Sequence, residues 1–224
     1  GSAGSDTVGI DTAAPQPTIT LDPAITADDI LNAAEVGQTI PVTGVVGGDA
    51  KEGDTVTLTI NGNTFTGLVL ADKTFSINVP GTDLAADPDR SIEASITTKD
   101  DAGNTASASD SEGYLVDTSA PGVVVNIVDA SLNVADAVSP VTFSFSQVPV
   151  GFTLSDITAA NGSISDLQAT ADPLVFTATF TATPGFEGQG QVSVAAGSYA
   201  NAAGNPGSAG SDTVGIDTAA PQPT

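Results

Sequence analysis

The sequence predicts an all-β chain of two tandem seven-stranded antiparallel β-sandwiches joined end to end, and three observations predict it. The first is alternation: TVTLTI, TFSINV and VFTATF place apolar residues at every second position with Thr, Ser or Asn between, the period of half-buried strands. The second is punctuation, because Gly, Asp, Asn and Pro fall between these stretches where turns are needed. The third is repetition. Residues 1–18 (GSAGSDTVGIDTAAPQPT) recur without change at 207–224, from position 1 to position 207 a period of 206. A weaker echo, Ala-Gly-Asn, then a small-residue strand, then Asp-Thr-x-Ala-Pro, stands at 102–121 and again at 203–221. From Asp11 to Asp117 is 106 residues and from Asp117 to Asp217 is 100, so one period holds two unlike domains and not a stack of short solenoid units.

The strands expected in the first domain are PTITLD (17–22), QTIPVTGVV (38–46), DTVTLTING (54–62), NTFTGLVL (63–70), KTFSINV (73–79), RSIEASITT (90–98) and NTASASDSEGYLV (104–116). Between the first two, TADDILNAAE (26–35) reads as a short helical turn capped by Asp28 or Asp29. The second domain offers VVVNIV (123–128), PVTFSFS (140–146), LSDITAA (154–160), SISDLQAT (163–170), LVFTATFTAT (174–183), QVSVAAG (191–197) and SDTVGI (211–216). Phe65, Phe75, Phe143, Phe145, Phe176 and Phe180 all take alternate, core-facing strand positions. The expected boundaries are 1–10 as the last strand of a preceding domain, 11–117 and 118–217 as the two sandwiches, and 218–224 as the linker into the next repeat. Each sandwich is large enough to bury a core without disulfides, and the chain has no Cys. Strands of eight to ten residues span roughly 26 to 34 Å, which sets about 40 Å per domain and about 80 to 90 Å per period.

Composition narrows the function. The chain carries 27 acidic and 4 basic residues, net −23, with no His, Met or Trp. Such a surface has nothing with which to neutralise phosphates, which argues against nucleic acid and against direct contact with an anionic membrane. No apolar run approaches the roughly 18 residues of a membrane span. Without His, Cys or an activated Ser, catalysis would need a carboxylate pair in a cleft, and narrow sandwiches with short loops promise no cleft. The chain is not expected to be an enzyme.

The acidic residues sort by pole. With seven antiparallel strands, a domain starts at one end and finishes at the other. In the first domain the near pole gathers Asp11, Asp49, Glu52, Asp54, Asp72, Asp100 and Asp101. Its far pole gathers Asp22, Asp28, Asp29, Glu35, Asp83, Asp87, Asp89 and Asp117. In the second domain the near pole holds Asp156, Asn201 and Asn205, and the far pole Asp129, Asp136, Glu187 and Asp217. Like charges that close repel, or raise one another's pKa, unless a cation sits among them. Hard oxygen ligands suit Ca²⁺, and the absence of His and Cys disfavours transition metals. The candidate metal ligands are therefore Asp11, Asp100, Asp101, Asp117, Asp217, Asp28, Asp29, Glu35, Asp49, Asp54, Asp129 and Asp136. Ordinary turn chemistry and the solubility of an acidic surface account for the same residues without a metal.

Several stretches carry a resemblance. The linkers VDTSAP and IDTAAP, with DDILNAAE, GGDAKEGDTVTLTINGNTFTG, FSINVPGTDLAAD and TTKDDAGNTASA, resemble the tandem bacterial Ig-like repeats of giant RTX-type and biofilm-associated surface adhesins. FTLSDITAANGSISDL, FTATFTATPG and VSVAAGSYANAAGNPG resemble a second bacterial Ig-like subtype. The resemblance implies Ig-like sandwiches forming an extracellular stalk on a Gram-negative cell, with neighbouring repeats of the same chain as partners and Ca²⁺ between modules. It also implies roles in adhesion and biofilm formation, with the ligand of the adhesin tip outside this segment. Asn201 stands where the first domain has Asp100, which weakens a metal site there.

A ligand-binding module, for carbohydrate or a surface, is the alternative. Carbohydrate readers usually expose aromatic rings, and aromatics make up only 4% of this chain. Rows of Thr in TVTLT and FTATFTAT could face ice or mineral, although outward Thr on a half-buried strand is the simpler account.

Overall fold

The computed structural model describes residue 4 and residues 6–220. Residues 1–3 and 5 of the expected preceding strand, and 221–224 of the expected linker, lie outside the described residues. The chain divides after Asp117 into two compact units.

In the first unit the strands are β1 (Pro17–Leu21), β2 (Ile30–Leu31), β3 (Thr39–Gly48), β4 (Thr55–Ile60), β5 (Asn63–Leu68), β6 (Thr74–Pro80), β7 (Ser91–Lys99), β8 (Thr105–Gly113) and β9 (Leu115–Val116). They form a three-stranded sheet β1-β3-β6 and a four-stranded sheet β5-β4-β7-β8, with β2 and β9 as a parallel pair. Alternation does the sorting, because period two sends every second side chain to one face. Val56, Leu58 and Ile60 of β4 and Ile92, Ala94 and Ile96 of β7 are buried, as are Ile40 and Val42 of β3 and Phe75, Ile77 and Val79 of β6. Asn61 (φ 51°) and Gly62 (φ 72°) take the left-handed conformations that a tight β4–β5 hairpin requires.

The segment 26–35 differs from the expectation. Asp28 and Asp29 do not cap a helix: Asp28 Oδ1 accepts from Ile30 N (3.2 Å) and Asp29 Oδ1 from Ile25 N (3.2 Å), closing a turn. Asn32 caps the four-residue helix α1 (Ala33–Val36), accepting from Ala34 N (3.0 Å) and Glu35 N (3.1 Å) while Glu35 Oε2 accepts from Asn32 N (2.9 Å). Ile30 and Leu31 are needed in the ladder with β9, which pushes the helix start downstream. A second helix, α2 (Gly81–Ala86), follows β6 and buries Leu84.

In the second unit the strands are β10 (Val123–Ile127), β11 (Ser131–Asn133), β12 (Val138–Phe145), β13 (Ile157–Ala160), β14 (Gly162–Ala169), β15 (Val175–Ala182), β16 (Glu187–Val194) and β17 (Gly210–Asp217). Two four-stranded sheets result, β10-β12-β15-β14 and β11-β17-β16-β13. The sequence pattern does not announce β11. It lets the first strand cross from one sheet to the other, where it pairs with β17 in parallel. Leu154–Asp156, expected to begin a strand, is a 3-10 turn held by Thr153 and Asp156. Hydrogen bonding runs one residue past Asp217: Thr218 N donates to Phe186 O (2.8 Å) and Thr218 Oγ1 to Thr183 O (2.6 Å).

The second core is aromatic. Phe143, Phe145, Phe152, Phe176 and Tyr199 contact one another mostly edge to face, with centroids 4.9 to 6.1 Å apart. Phe180, fully buried, lies over Gly162 and Gly190, where any Cβ would run into its ring. Among the described residues no helix is long and apolar enough to cross a membrane.

Phe180→Ala should therefore cost the second unit about 3–5 kcal/mol, the range for deleting a buried Phe. Urea unfolding followed by hydrogen exchange resolved to each unit should show the first unit unmoved.

Candidate functional site

In each unit the chain enters at one end and leaves at the other. In the first, Pro17 pairs with Gly48 where β1 begins, and Asp117 N donates to Leu31 O (3.1 Å) where the chain exits. At the entering end, Asp11, Asp49, Asp100 and Asp101 line one open pocket of about 360 Å³ together with Lys51 and Lys99. Asp49 Oδ2 accepts from Gln16 N (2.7 Å), which ties the linker to the β3–β4 loop. Asp11 Oδ1 accepts from Ala13 N (3.0 Å), and its carbonyl accepts from Asn104 Nδ2 (3.2 Å). Asp54 stands apart from the pocket, accepting from Lys51 N (2.8 Å) and Thr98 Oγ1 (2.5 Å).

The Asp100 loop is built by the sequence DDAGN. Gly103 takes φ 96°, Gly103 N donates to Asp100 O (3.2 Å), and Asn104 closes the turn on both Asp100 oxygens, N to Oδ1 (2.8 Å) and Nδ2 to Oδ2 (2.9 Å). Hydrogen bonding from the Asn104 side chain, partly opposed by desolvation and reinforced by backbone N–H groups, holds the Asp100 carboxyl below its ordinary range. Asp72 is lowered too, mainly by the Thr74 hydroxyl and then the Thr74 N–H.

The second unit repeats this loop with one atom changed in kind. In NAAGN, Asn201 N donates to Asn205 O (3.0 Å) and Asn205 N donates to Asn201 Oδ1 (2.9 Å), the bonds Asp100 and Asn104 make. The other terminal atom of residue 201 is a donor, and Nδ2 donates to Ser119 O (3.2 Å) and Gln147 Oε1 (2.7 Å). Asn201 is 4% exposed. A carboxylate at position 201 would turn both contacts into oxygen facing oxygen.

The remaining candidates do not gather in one place. Asp28, Asp29 and Glu35 are engaged in the turn and helix cap described above. Asp217 ends β17 opposite Glu187 of β16 and Asn133 of β11, and these three line an open pocket of about 530 Å³ that includes neither Asp129 nor Asp136. Residues not singled out as ligands complete both ends: Asn104, Lys51 and Lys99 in the first unit, Glu187 in the second. The duplicated Ala-Gly-Asn was the available signal for Asn104.

The carboxylates at both pockets offer oxygen, the donor Ca²⁺ takes, while Lys51 and Lys99 also line the first. Among the described residues, however, no three Asp or Glu side chains converge closely enough to hold a metal. The acids share a pocket without forming a coordination shell.

A family described as bacterial Ig-like domain matches residues 117–218. A solved structure of a 1.5-MDa bacterial ice-binding adhesin, described for its retention at the host cell surface, is 30% identical with TM-score 0.63, covering 92% of this chain and 66% of that one. A Ca²⁺-stabilized adhesin with which an Antarctic bacterium binds ice is 32% identical with TM-score 0.64, covering 96% and 52%. A bacterial immunoglobulin-like domain from the M. primoryensis ice-binding adhesin is 46% identical over 46% of this chain and 98% of that one, with TM-score 0.41. The chain thus spans between about half and two thirds of the length of the first two. No curated protein matches it.

Two outcomes follow from the loops. Asp100 has a lowered folded pKa, so its charge stabilises the first unit above the ordinary Asp value near 4 and that contribution is lost as pH falls through the lowered one. The stability gap between the native chain and Asp100→Asn should narrow as pH falls below the ordinary Asp range, measured by urea unfolding. Asn201→Asp should destabilise the second unit by about 1–3 kcal/mol at neutral pH, and less in acid where the new carboxyl is protonated.

Proposed function

The chain belongs to the bacterial Ig-like domains, and from that premise we propose that it is a structural extender of a large surface adhesin, holding a binding domain away from the cell. The two sandwiches, 11–117 and 118–217, form one repeat, and segment 1–10 is the closing strand of a sandwich before it. The observation that carries this reading is the recurrence of residues 1–18 at 207–224, because copies of a whole two-domain period add length with each repeat. Chain ends at opposite poles of each unit support it. The place is the exterior of a Gram-negative cell, the immediate partners are neighbouring repeats, and the role is mechanical, not catalytic, in adhesion and biofilm formation.

We assign Ca²⁺ to the poles from which the linkers leave, with Asp11, Asp49, Asp100 and Asp101 as the principal ligands and Asp117 and Asp217 contributing from the strand ends. The support is the set of carboxylate oxygens at these poles, the net charge of −23, and the Ca²⁺-stabilized adhesin among the similar structures. Bound, the ion cancels like-charge repulsion among carboxylates and restrains the linker that carries them. Pro15 and Pro121 add stiffness by fixing their own φ and biasing the preceding Ala toward extended backbone. The Asn201 pole binds the ion least, because its amide already satisfies the oxygens a cation would meet.

Extracellular calcium modules bind with Kd of about 10⁻⁴ to 10⁻³ M, and a hundredfold excess over Kd stabilises the native state by about 2.7 kcal/mol. The melting temperature should rise in millimolar Ca²⁺ beyond the effect of matched ionic strength, and Asp100→Ala should remove most of the rise. Small-angle scattering should give a longer, narrower distance distribution in Ca²⁺ than in chelator. Identical curves in both conditions would leave the carboxylates as turn formers and solubilising charge.

A further inference from the structure

Asn-Gly occurs twice in the sequence, at Asn61-Gly62 and at Asn161-Gly162, and the fold treats the two differently. Asn61 and Gly62 are the whole of the β4–β5 turn, which Ile60 and Asn63 close as a pair. Both are exposed, and a Cβ placed on Gly62 would meet nothing within 4 Å. Asn61 N donates to Asp87 Oδ1 (3.1 Å), but among the described residues neither the Asn61 side-chain amide nor Gly62 N forms a hydrogen bond. Asn161 also takes a left-handed φ, 58° against 51° for Asn61. Its side chain, however, is held: Nδ2 donates to Gln189 O (2.8 Å), and the main-chain carbonyl accepts from Thr183 N (3.0 Å). Gly162 lies under the Phe180 ring, which a Cβ there would approach to 2.3 Å.

We propose that Asn61 is a modification site, which deamidates to aspartate and isoaspartate with water as the only co-reactant, and that the fold protects Asn161 from the same reaction. Gly62 N gives up its proton to solvent base and bonds to Asn61 Cγ. The Cγ–Nδ2 bond breaks, and the nitrogen takes a proton from water and leaves as ammonia. The five-membered imide that remains is opened by water at either carbonyl. Opening at Cγ gives aspartate in the original backbone, and opening at the main-chain carbonyl gives isoaspartate, with the backbone routed through the side chain. A following glycine obstructs ring closure least because it has no Cβ, and the open space around Gly62 lets its nitrogen swing toward Cγ. At Asn161 the ring can close only after the Nδ2 bond breaks and Gly162 comes out from beneath Phe180, so reaction waits on local opening. The product alters the exit end of the first unit. Isoaspartate adds a backbone carbon to a turn of two residues, which breaks the Ile60–Asn63 pairing. Either product also puts a negative charge into a turn already tied to Asp87 through Asn61 N and to Asp83 through Asn63 Nδ2 (2.7 Å). This inference depends neither on the extender reading nor on calcium.

The test uses the full chain, held at mildly alkaline pH in the folded state and, in parallel, unfolded in guanidinium chloride. Peptide mass spectrometry of the folded chain should show the amide-to-acid mass gain accumulating at Asn61 roughly tenfold or more faster than at Asn161, the factor supplied by about 1.4 kcal/mol of local opening. Labelling by an isoaspartyl methyltransferase should mark the same peptide. In denaturant the two sites should react at similar rates, because the fold and not the dipeptide separates them. The isoaspartate form, isolated by anion exchange, should lose hydrogen-exchange protection in the β5 amides while the β16 amides keep theirs. Equal rates in the folded chain, faster reaction at Asn161, or an unreacted Asn61 while the denatured chain is consumed would overturn the site. Unchanged β5 protection in the isoaspartate form would overturn the loosening of the hairpin.

Discussion

Each sandwich is closed where its last strand meets its first, and the rest of the architecture depends on that contact. Two devices make it in both units. A short parallel ladder joins the crossing part of the first strand to the end of the last, β2 with β9 and β11 with β17. A carboxylate on the last strand reaches across to the first strand's backbone, Asp110 accepting from Leu21 N (2.8 Å) and Asp212 from Ile127 N (2.8 Å). Because first and last strands run parallel, the chain enters at one pole and leaves at the other. Tension applied through the linkers then pulls the ladder's two strands in opposite directions along their length, loading its hydrogen bonds together and not one at a time. The closing strand also hands the chain to the linker, so Asp117 and Asp217 stand at the exit of each unit because closure puts them there.

The poles show how one side-chain atom sets the chemistry of a loop. DDAGN and NAAGN fold to the same backbone pattern, yet residue 100 presents a carboxylate kept ionised by Asn104, and residue 201 presents an amide that donates to Ser119 and Gln147. The first loop leaves negative charge facing an open pocket that also receives Asp11, Asp49 and Asp101. The second consumes its own polarity. The two poles therefore differ in charge, one presenting carboxylates beside Lys51 and Lys99 and the other a neutral amide that donates to its neighbours.

Much of this was legible in the sequence because it rests on period. Alternation in TVTLTI or VFTATF dictates a face, and a face dictates a sandwich. What escaped were features that depend on contacts made elsewhere. The SLN of β11 has one apolar residue and no visible alternation, and it is a strand because β17 lies beside it. Asp28 and Asp29 have the composition of helix caps, but the β2–β9 ladder claims the following residues and hands the cap to Asn32. Nothing in the alternation singles out Asp110 or Asp212, whose carboxylates accept from the backbone of a first strand far away in sequence. At the poles, sorting acids by strand parity groups Asp11, Asp49, Asp100 and Asp101 as the pocket does, but parity has no means to foresee which acids are engaged locally, as Asp100 is by Asn104 and Glu35 by Asn32.

If this chain is an extender, its length must accumulate. The most direct measurement is the end-to-end distance of arrays carrying increasing numbers of the 206-residue period, imaged singly in millimolar Ca²⁺. The account predicts a constant increment per period, about 80 to 90 Å from strand lengths. A distance growing only as the square root of copy number in the same calcium would describe a flexible string of beads, and would contradict it.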